Sequence, residues 1–510
     1  MNHLLQKLVS ASKSVNKSQV EAVVSDLINL QAPLQERWVG VGQIAKSFGS
    51  YRLTKRCIEK ALEQSQSDQM VAQALGMLSD LGKTELAYEY LQSIGNRVSS
   101  VVLLHLKGVL AYQLGYFTQA KQSLRAVLRT VPMSGETLHL LSTMSDPEEA
   151  KELQKELDTL LSSMDKVPLS VSKACFYNAL GNTYLKTSEV DTAYQYFEKC
   201  AETMRAISPK DKSFDYSLIE GWRNENVECA EVKPSNFTDE SVSTKSSPIF
   251  ILGIPRTGTT LVEQVIIQNT EAQSVGEIDA FPMAVDNVLK TKNALERLKT
   301  LALLDEEKCS MIADEYFKIC SEYGVSNALI VDKSLSNLRY AYAIKHVFNK
   351  AIFVVTKRNE IDNAWSIFKT QFSNSLHWSW DIRKIKSFID NESRLAKILA
   401  NSKEVAPIVI QLETLQDQPQ ETIKQVINRV YEKQGATRET ELLSLPPYEA
   451  GKVDTTAVRT ASMYQARQPI SSEHAHSKNI PPQVRKNIFR NSLVEYLNCK
   501  RPSSILLFAA

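Results

Sequence analysis

The chain is 510 residues long, 43% apolar and 23% charged. That is an ordinary globular balance over more length than one core comfortably uses, so two domains are expected. A formal net charge of +2 gives no reason to expect nucleic acid or another polyanion as partner. Met1 to Val20 is polar and mixed, unlike a secretory leader. No apolar run, Ile505 to Ala510 included, approaches the roughly 20 residues that cross a bilayer, so no membrane partner is expected.

The N-terminal half reads as helical and repetitive. Gly108, Gly115, Phe117, Ala120, Leu124 and Pro132 fall at the offsets of one pattern, and Leu180, Gly181, Tyr184, Ala193 and Phe197 repeat it. Gly42, Gly49, Tyr51, Ile58 and Ala61 form an earlier copy, and Leu75-Gly76 begins a more degenerate one. Gly42 to Gly76 is 34 positions and Gly76 to Gly108 is 32. The 73 positions from Gly108 to Gly181 leave room for one diverged unit, near Ser134 to Val167. Over about residues 35–208 this pattern resembles the tetratricopeptide repeat. Small residues such as Gly108, Ala120, Gly181 and Ala193 let paired helices approach. Large ones such as Leu124, Tyr184 and Phe197 fill the gap to the next hairpin. Hairpins of this kind must stack into a solenoid, whose concave face implies a protein partner.

Pro209 to Pro248 turns polar, which predicts a cap and linker. Beyond it, short continuous apolar runs alternate with helix-like segments. Candidate strands are Ile249–Gly253, Ala328–Val331, Ala351–Thr356 and Pro407–Leu412, and candidate helices are Thr259–Asn269, Ser336–Phe348, Asp362–Phe372 and Asp381–Ala400. This alternation predicts an α/β doubly wound parallel sheet, with both faces covered. The expected division is an all-α repeat solenoid over 1–208, a cap and linker over 209–247, and a P-loop-like α/β domain over 248–510.

The first of these strands runs into Gly253-Ile254-Pro255-Arg256-Thr257-Gly258-Thr259-Thr260. A strand, a Gly-bearing turn and a helix N-terminus make an anion site, since successive N–H groups and the positive end of the helix point at one spot. The two glycines keep the Walker spacing G-x-x-x-x-G, yet Thr259 stands where a nucleotide-binding loop puts Lys, and the cation is Arg256. Pro-Arg-Thr-Gly-Thr-Thr after a buried strand resembles the 5′-phosphosulfate loop of sulfotransferases, which use 3′-phosphoadenosine 5′-phosphosulfate (PAPS) as sulfuryl donor. The resemblance implies that Arg256 contacts the sulfuryl group or its bridging oxygen. Thr257, Gly258, Thr259 and Thr260 would hold the 5′-phosphate through N–H groups and hydroxyls.

Further motifs follow in that family's order, over about residues 245–480. Gly276-Glu277 resembles the pair whose Glu is the catalytic base of tyrosylprotein sulfotransferases. Asp332-Lys333-Ser334-Leu335-Ser336-Asn337 resembles the family's Asp-Lys-x-x-x-Asn motif, which implies that Lys333 reaches the leaving phosphate oxygen or the sulfuryl group. Arg358, with Ser366 eight positions on, has the spacing that grips the 3′-phosphate, although Glu360 replaces the family's Pro and brings a negative charge nearby. The cluster His377-Trp378-Ser379-Trp380 is a candidate acceptor lining or a piece of core. Thr460 to Ile470 is similar to a C-terminal segment whose Ser, here Ser462, lies against the donor. The Lys and Trp that should follow are represented only by Lys478, shifted by one. His474 and His476 are the rival bases.

These residues imply direct in-line transfer without a covalent enzyme intermediate, with a carboxylate taking the acceptor proton and cations meeting charge on the departing phosphate. No metal is expected, since no ligand spacing occurs. The cysteines at 57, 175, 200, 229, 309, 320 and 499 are scattered, with no Cys-x-x-Cys. That pattern predicts reduced thiols and a cytoplasmic protein. The leading acceptor is a protein or peptide tyrosine. Where animal enzymes carry two arginines for acidic flanks, this chain has Asp279 and Met283, so that preference does not carry over. Two alternatives stay open: sulfation of a carbohydrate or small-metabolite hydroxyl, and a non-catalytic repeat scaffold.

Overall fold

The computed structural model describes residues 2–64, 67–95, 100–208, 247–291, 301, 304–326, 329–372 and 376–433. Ser462, His474, His476 and Lys478 lie outside these, as does most of the predicted linker.

Twelve helices make up the described N-terminal region: α1 (Asn2–Lys13), α2 (Lys17–Asn29), α3 (Arg37–Lys46), α4 (Tyr51–Gln64), α5 (Asp68–Asp80), α6 (Thr84–Ser93), α7 (Val101–Gln113), α8 (Phe117–Thr130), α9 (Gly135–Met144), α10 (Pro147–Asp165), α11 (Val171–Lys186) and α12 (Val190–Ile207). The small positions act as the repeat pattern requires. A Cβ on Gly108 would meet the Leu124 side chain at 2.7 Å, and one on Gly181 would meet the Phe197 ring at 2.7 Å. The diverged unit is α9–α10. Its Gly135 lies so close to the Ser172 carbonyl that no side chain fits, and α9 packs on α11. Helix α10 starts cleanly because Asp146 and Glu149 form a capping box ahead of Pro147. The α1–α2 hairpin precedes the expected start of the array and packs onto α4.

Among the described residues the second region holds five parallel strands in the order β2-β3-β1-β4-β5: β1 (Ile249–Gly253), β2 (Gln273–Gly276), β3 (Ile330–Asp332), β4 (Ile352–Lys357) and β5 (Ile408–Gln411). Its helices are α13 (Thr259–Asn269), α14 (Ala280–Leu289), α15 (Glu306–Tyr323), α16 (Ala341–Val347), α17 (Glu360–Phe368), α18 (Ile382–Ala400), α19 (Leu412–Asp417) and α20 (Pro419–Lys433). Strand β1 is buried on both faces. Ile249 and Ile251 pack with Val262, Ile266, Ile423 and Ile427 on one side, while Phe250 and Leu252 join the core on the other. The predicted helix Ser336–Phe348 begins instead as a 3-10 turn, Leu335–Tyr340, before α16.

That second core does not stop at the sheet. It runs continuously into the helical array. Tyr194 stacks near Trp365 (6.4 Å) and Phe368 (5.8 Å), and Phe197 meets Trp365 edge-on at 5.6 Å. Such aromatic pairs contribute about 0.5–1.5 kcal/mol each beyond their buried area. Asn178 donates to the Lys369 carbonyl (3.1 Å) and Arg205 to the Trp380 carbonyl. At the array's other end Lys17 pairs with Glu315 (2.5 Å), and Gly49 sits against Ile319. The first hairpins therefore pack on α15 and the last on α17. Trp378 and Trp380 are buried, with Trp378 stacked on Phe388 at 3.8 Å. That cluster is core. Among the described residues, no helix is long and apolar enough to cross a membrane.

Candidate active site

The site lies at the C-terminal ends of β1, β2, β3 and β4. In an open parallel sheet this is where crossovers diverge and leave a crevice. Gly253 ends β1. A Cβ there would run into Thr356 Oγ1 and stand 2.8 Å from Thr257 Oγ1. The chain then turns through Arg256 (φ 73°) and Gly258 (φ 92°), both left-handed, and starts α13 at Thr259. A side chain at Gly258 would also strike Leu412, at 2.6 Å. Strain at Arg256, where a β-carbon opposes that φ, is of the kind stored at ligand clamps. No side chain caps α13. The N–H groups of Gly258, Thr259 and Thr260 lie in the first turn, beyond the reach of intrahelical acceptors.

Thr257 has another job. Its hydroxyl donates to the Ile254 carbonyl (2.7 Å) and bonds Thr356 Oγ1 (2.7 Å), and its N–H closes a turn to the same carbonyl (3.3 Å). These bonds tie the loop against β4.

Cations converge on one flank. Arg256 Nε donates to Ser366 Oγ on α17 (3.0 Å), and Arg358 donates to the Arg256 carbonyl (3.0 Å). Two hydrogen bonds thus join Arg256 to Ser366 and Arg358, both more than a hundred positions downstream. Lys369 follows, one turn beyond Ser366. Burial and the neighbouring Arg256 and Arg358 push its ammonium down to about 8. Burial, then Arg358, pushes Arg256 down to about 10. Positive groups crowd here at an electrostatic cost that an anion would relieve. Glu360 is not part of this. It is exposed and reaches Lys397 (3.8 Å), so the charge expected to disturb the phosphate points elsewhere. Asp362 and Glu413 work against the burial that lowers Arg358.

The other flank holds Glu277 and Lys333. Strand β2 delivers Glu277 directly after its last residue, Gly276, and β3 ends one residue before Lys333. Lys333 is fully buried. Its Nζ contacts Glu277 Oε1 and lies 3.9 Å from Glu263 Oε2. Burial alone would lower this ammonium, but Glu263 and Glu277 hold it above its usual value. The Asp-Lys-x-x-x-Asn spacing has a direct cause. Asn337 Nδ2 (2.9 Å) and the Ser334 N–H (3.0 Å) both donate to Asp332 Oδ1, folding the loop over Lys333. Burial still pushes Asp332 up to about 7.

The structure places Arg256, Gly258, Thr259, Thr260, Glu277, Lys333 and Arg358 just after the C-terminal ends of the neighbouring strands β1 to β4, with Ser366 bonded to Arg256. Glu263 and Lys369 join this group and are absent from the sequence expectations. A carboxylate inside the apolar run Leu261-Val262-Glu263-Gln264-Val265-Ile266 was the available signal for Glu263. Strand β2 was also missed, because Gln273-Ser274-Val275-Gly276 has neither an apolar run nor a β-branched stretch.

Comparison with known proteins agrees with this geometry. Residues 248–431 match the sulfotransferase family model, and residues 176–203, within α11–α12, match a tetratricopeptide repeat. An uncharacterized protein of Aquifex aeolicus (strain VF5) is 22% identical over 440 residues, covering 78% of this chain and 52% of its own length. The chain thus spans about half the length of that relative. The protein carries a sulfotransferase-family domain joined to a tetratricopeptide-repeat-bearing helical region.

Proposed function

We propose that this chain transfers a sulfuryl group from PAPS to an acceptor hydroxyl, with a protein or peptide tyrosine as the leading acceptor. The observation that carries the reading is the joint placement of Arg256, Arg358 and Ser366 beside an uncapped helix N-terminus. PAPS supplies an activated sulfuryl group between two phosphate-bearing positions. The residues here fit such a molecule: a loop whose glycines let it fold tightly against Thr356 and Leu412 ahead of a helix N-terminus, and a cationic flank for a second phosphate.

In this reading the N–H groups of Gly258, Thr259 and Thr260 bind the 5′-phosphate, and Arg358, Ser366 and Lys369 bind the 3′-phosphate. Arg256 and Lys333 stabilise charge on the departing phosphate. Glu277, partly exposed at the crevice, accepts the proton of the attacking hydroxyl. Ser462, outside the described residues, stays with the donor on the strength of resemblance alone. No metal enters the proposal. Free, buried cysteines at 57, 175, 200, 309 and 320 support a reducing, cytoplasmic setting. The helical array supports a protein partner or acceptor.

Asp279, at a position where animal enzymes read acidic peptides with Arg, accepts from Ser336 Oγ (2.6 Å) and leads into α14. An acidic peptide would meet a carboxylate there. This favours neutral or basic flanks, or a carbohydrate or small-metabolite hydroxyl as the second reading. Incubating cell lysate with radiolabelled donor and identifying what becomes labelled tests both. Labelled protein digested to tyrosine sulfate supports the first, and label only in glycans or small molecules supports the second. No label above a heat-killed control contradicts both and leaves the non-catalytic scaffold.

A further inference from the structure

The flank around Glu277 closes into a ring. The Gly276 N–H donates to Ser274 Oγ (2.8 Å), and Ser274 donates on to Glu263 Oε1. Glu263 Oε2 faces Lys333 Nζ (3.9 Å), and Lys333 Nζ contacts Glu277. The Lys333 N–H returns to the Gly276 carbonyl (3.0 Å). Three separate elements (α13, β2 and β3) are thereby tied around the Gly276–Glu277 peptide. Glu263 itself is 4% exposed, so it cannot meet an acceptor in the crevice. A carboxylate in an apolar helix face is costly unless something uses its charge, and the ammonium of Lys333 does.

We propose that Glu263 is a positioning residue: it keeps Lys333 in the ammonium form and fixes its Nζ beside Glu277, without touching donor or acceptor. The inference rests on the transfer reading above for its purpose, though not for its geometry. When Lys333 turns toward the departing phosphate, Glu263 remains as its anchor and Glu277 is released to take the acceptor proton. The proton goes from hydroxyl to Glu277, and Lys333 keeps its own. The charged groups facing Lys333 are Glu263 from α13, Glu277 after β2 and Asp332 at the end of β3. All are acidic. Removing one makes the ammonium easier to deprotonate.

The test is Glu263→Gln in the full chain, with two readouts. Nitrogen-15 NMR of the Lys333 ammonium is expected to show it losing its proton at a lower pH in the variant than in the wild type, where Glu263 and Glu277 raise it. The kcat profile gains a falling alkaline limb at the same pH, while affinity for 3′,5′-adenosine bisphosphate stays within about twofold, since a buried positioning group adds no donor contact. Ser274→Ala, which removes the hydroxyl that holds Glu263 and accepts the Gly276 N–H, shifts both readouts in the same direction by less. It carries the test if Glu263→Gln fails to fold. An unmoved Lys333 titration in the variant that folds overturns the proposal. A shifted titration in a chain that sulfates nothing supports the ring and contradicts the transfer reading, so the two failures are distinguishable.

Discussion

The two flanks of the crevice handle buried charge in opposite ways. Around Lys333 a cation meets two carboxylates, and its charge is neutralised inside the protein. Around Arg256 and Arg358 the cations bond a hydroxyl and a carbonyl, Asp362 and Glu413 offset part of the burial at Arg358, and burial with neighbouring cations lowers Arg256 and Lys369. Charge arrangement therefore distinguishes the two flanks, with ion pairs inside one and crowded cations in the other. The supports differ as well. The α11–α12 hairpin braces the Arg256–Arg358 flank through Phe197, Tyr194 and Asn178, whereas the Lys333 flank is held by α13 and β2.

The largest way to break that contrast is Glu277→Ala. Transfer should fall about 10²–10⁴-fold, the scale of general base catalysis, while calorimetry finds bisphosphate affinity nearly unchanged. A variant that turns over normally removes Glu277 as base. Arg358→Ala should do the reverse and weaken donor binding by about 1.5–3 kcal/mol, the scale for hydrogen bonds to charged groups. Unchanged affinity would detach Arg358 from the site.

A smaller effect concerns pH. The Lys369 ammonium is lowered to about 8 in the folded chain, so it loses its proton as pH rises through that value. Bisphosphate affinity should therefore decline between about pH 7 and pH 9, and Lys369→Ala should flatten that decline. Calorimetry at several pH values checks it, and an unaltered slope in the variant assigns the decline elsewhere. The smallest effect is the most discriminating against the earlier expectation about Glu360. Exposed pairs contribute about 0–1 kcal/mol, so Glu360→Gln should leave the donor dissociation constant unchanged. A clear gain in affinity would mean Glu360 does face the phosphate.

Legibility followed physical range. Strand β1 and helix α13 could be read to the residue, because an apolar β-branched run, two glycines and a helical apolar face are local signals. The cations Arg256, Lys333 and Arg358 were legible as members of spaced motifs. Glu263 was not, because a lone Glu reads as solvated until Ser274 and Lys333 are seen around it. Lys369 was missed for the same reason: its meaning comes from Arg256, more than a hundred positions upstream. Thr257 was read by its type, yet its hydroxyl is claimed by β4 across the sheet. The packing of the helical array onto α15 and α17 had no sequence signal, since Phe197 and Trp365 are ordinary core residues until they touch.

The central claim is that the crevice between β1, β3 and β4 takes a nucleoside carrying separate 3′ and 5′ phosphates. Titration calorimetry of the full chain with 3′,5′-adenosine bisphosphate, against ATP as control, tests it most directly. Saturable one-to-one binding of the bisphosphate, with ATP far weaker, is the predicted result. Absence of binding, or equal affinity for ATP, would contradict it.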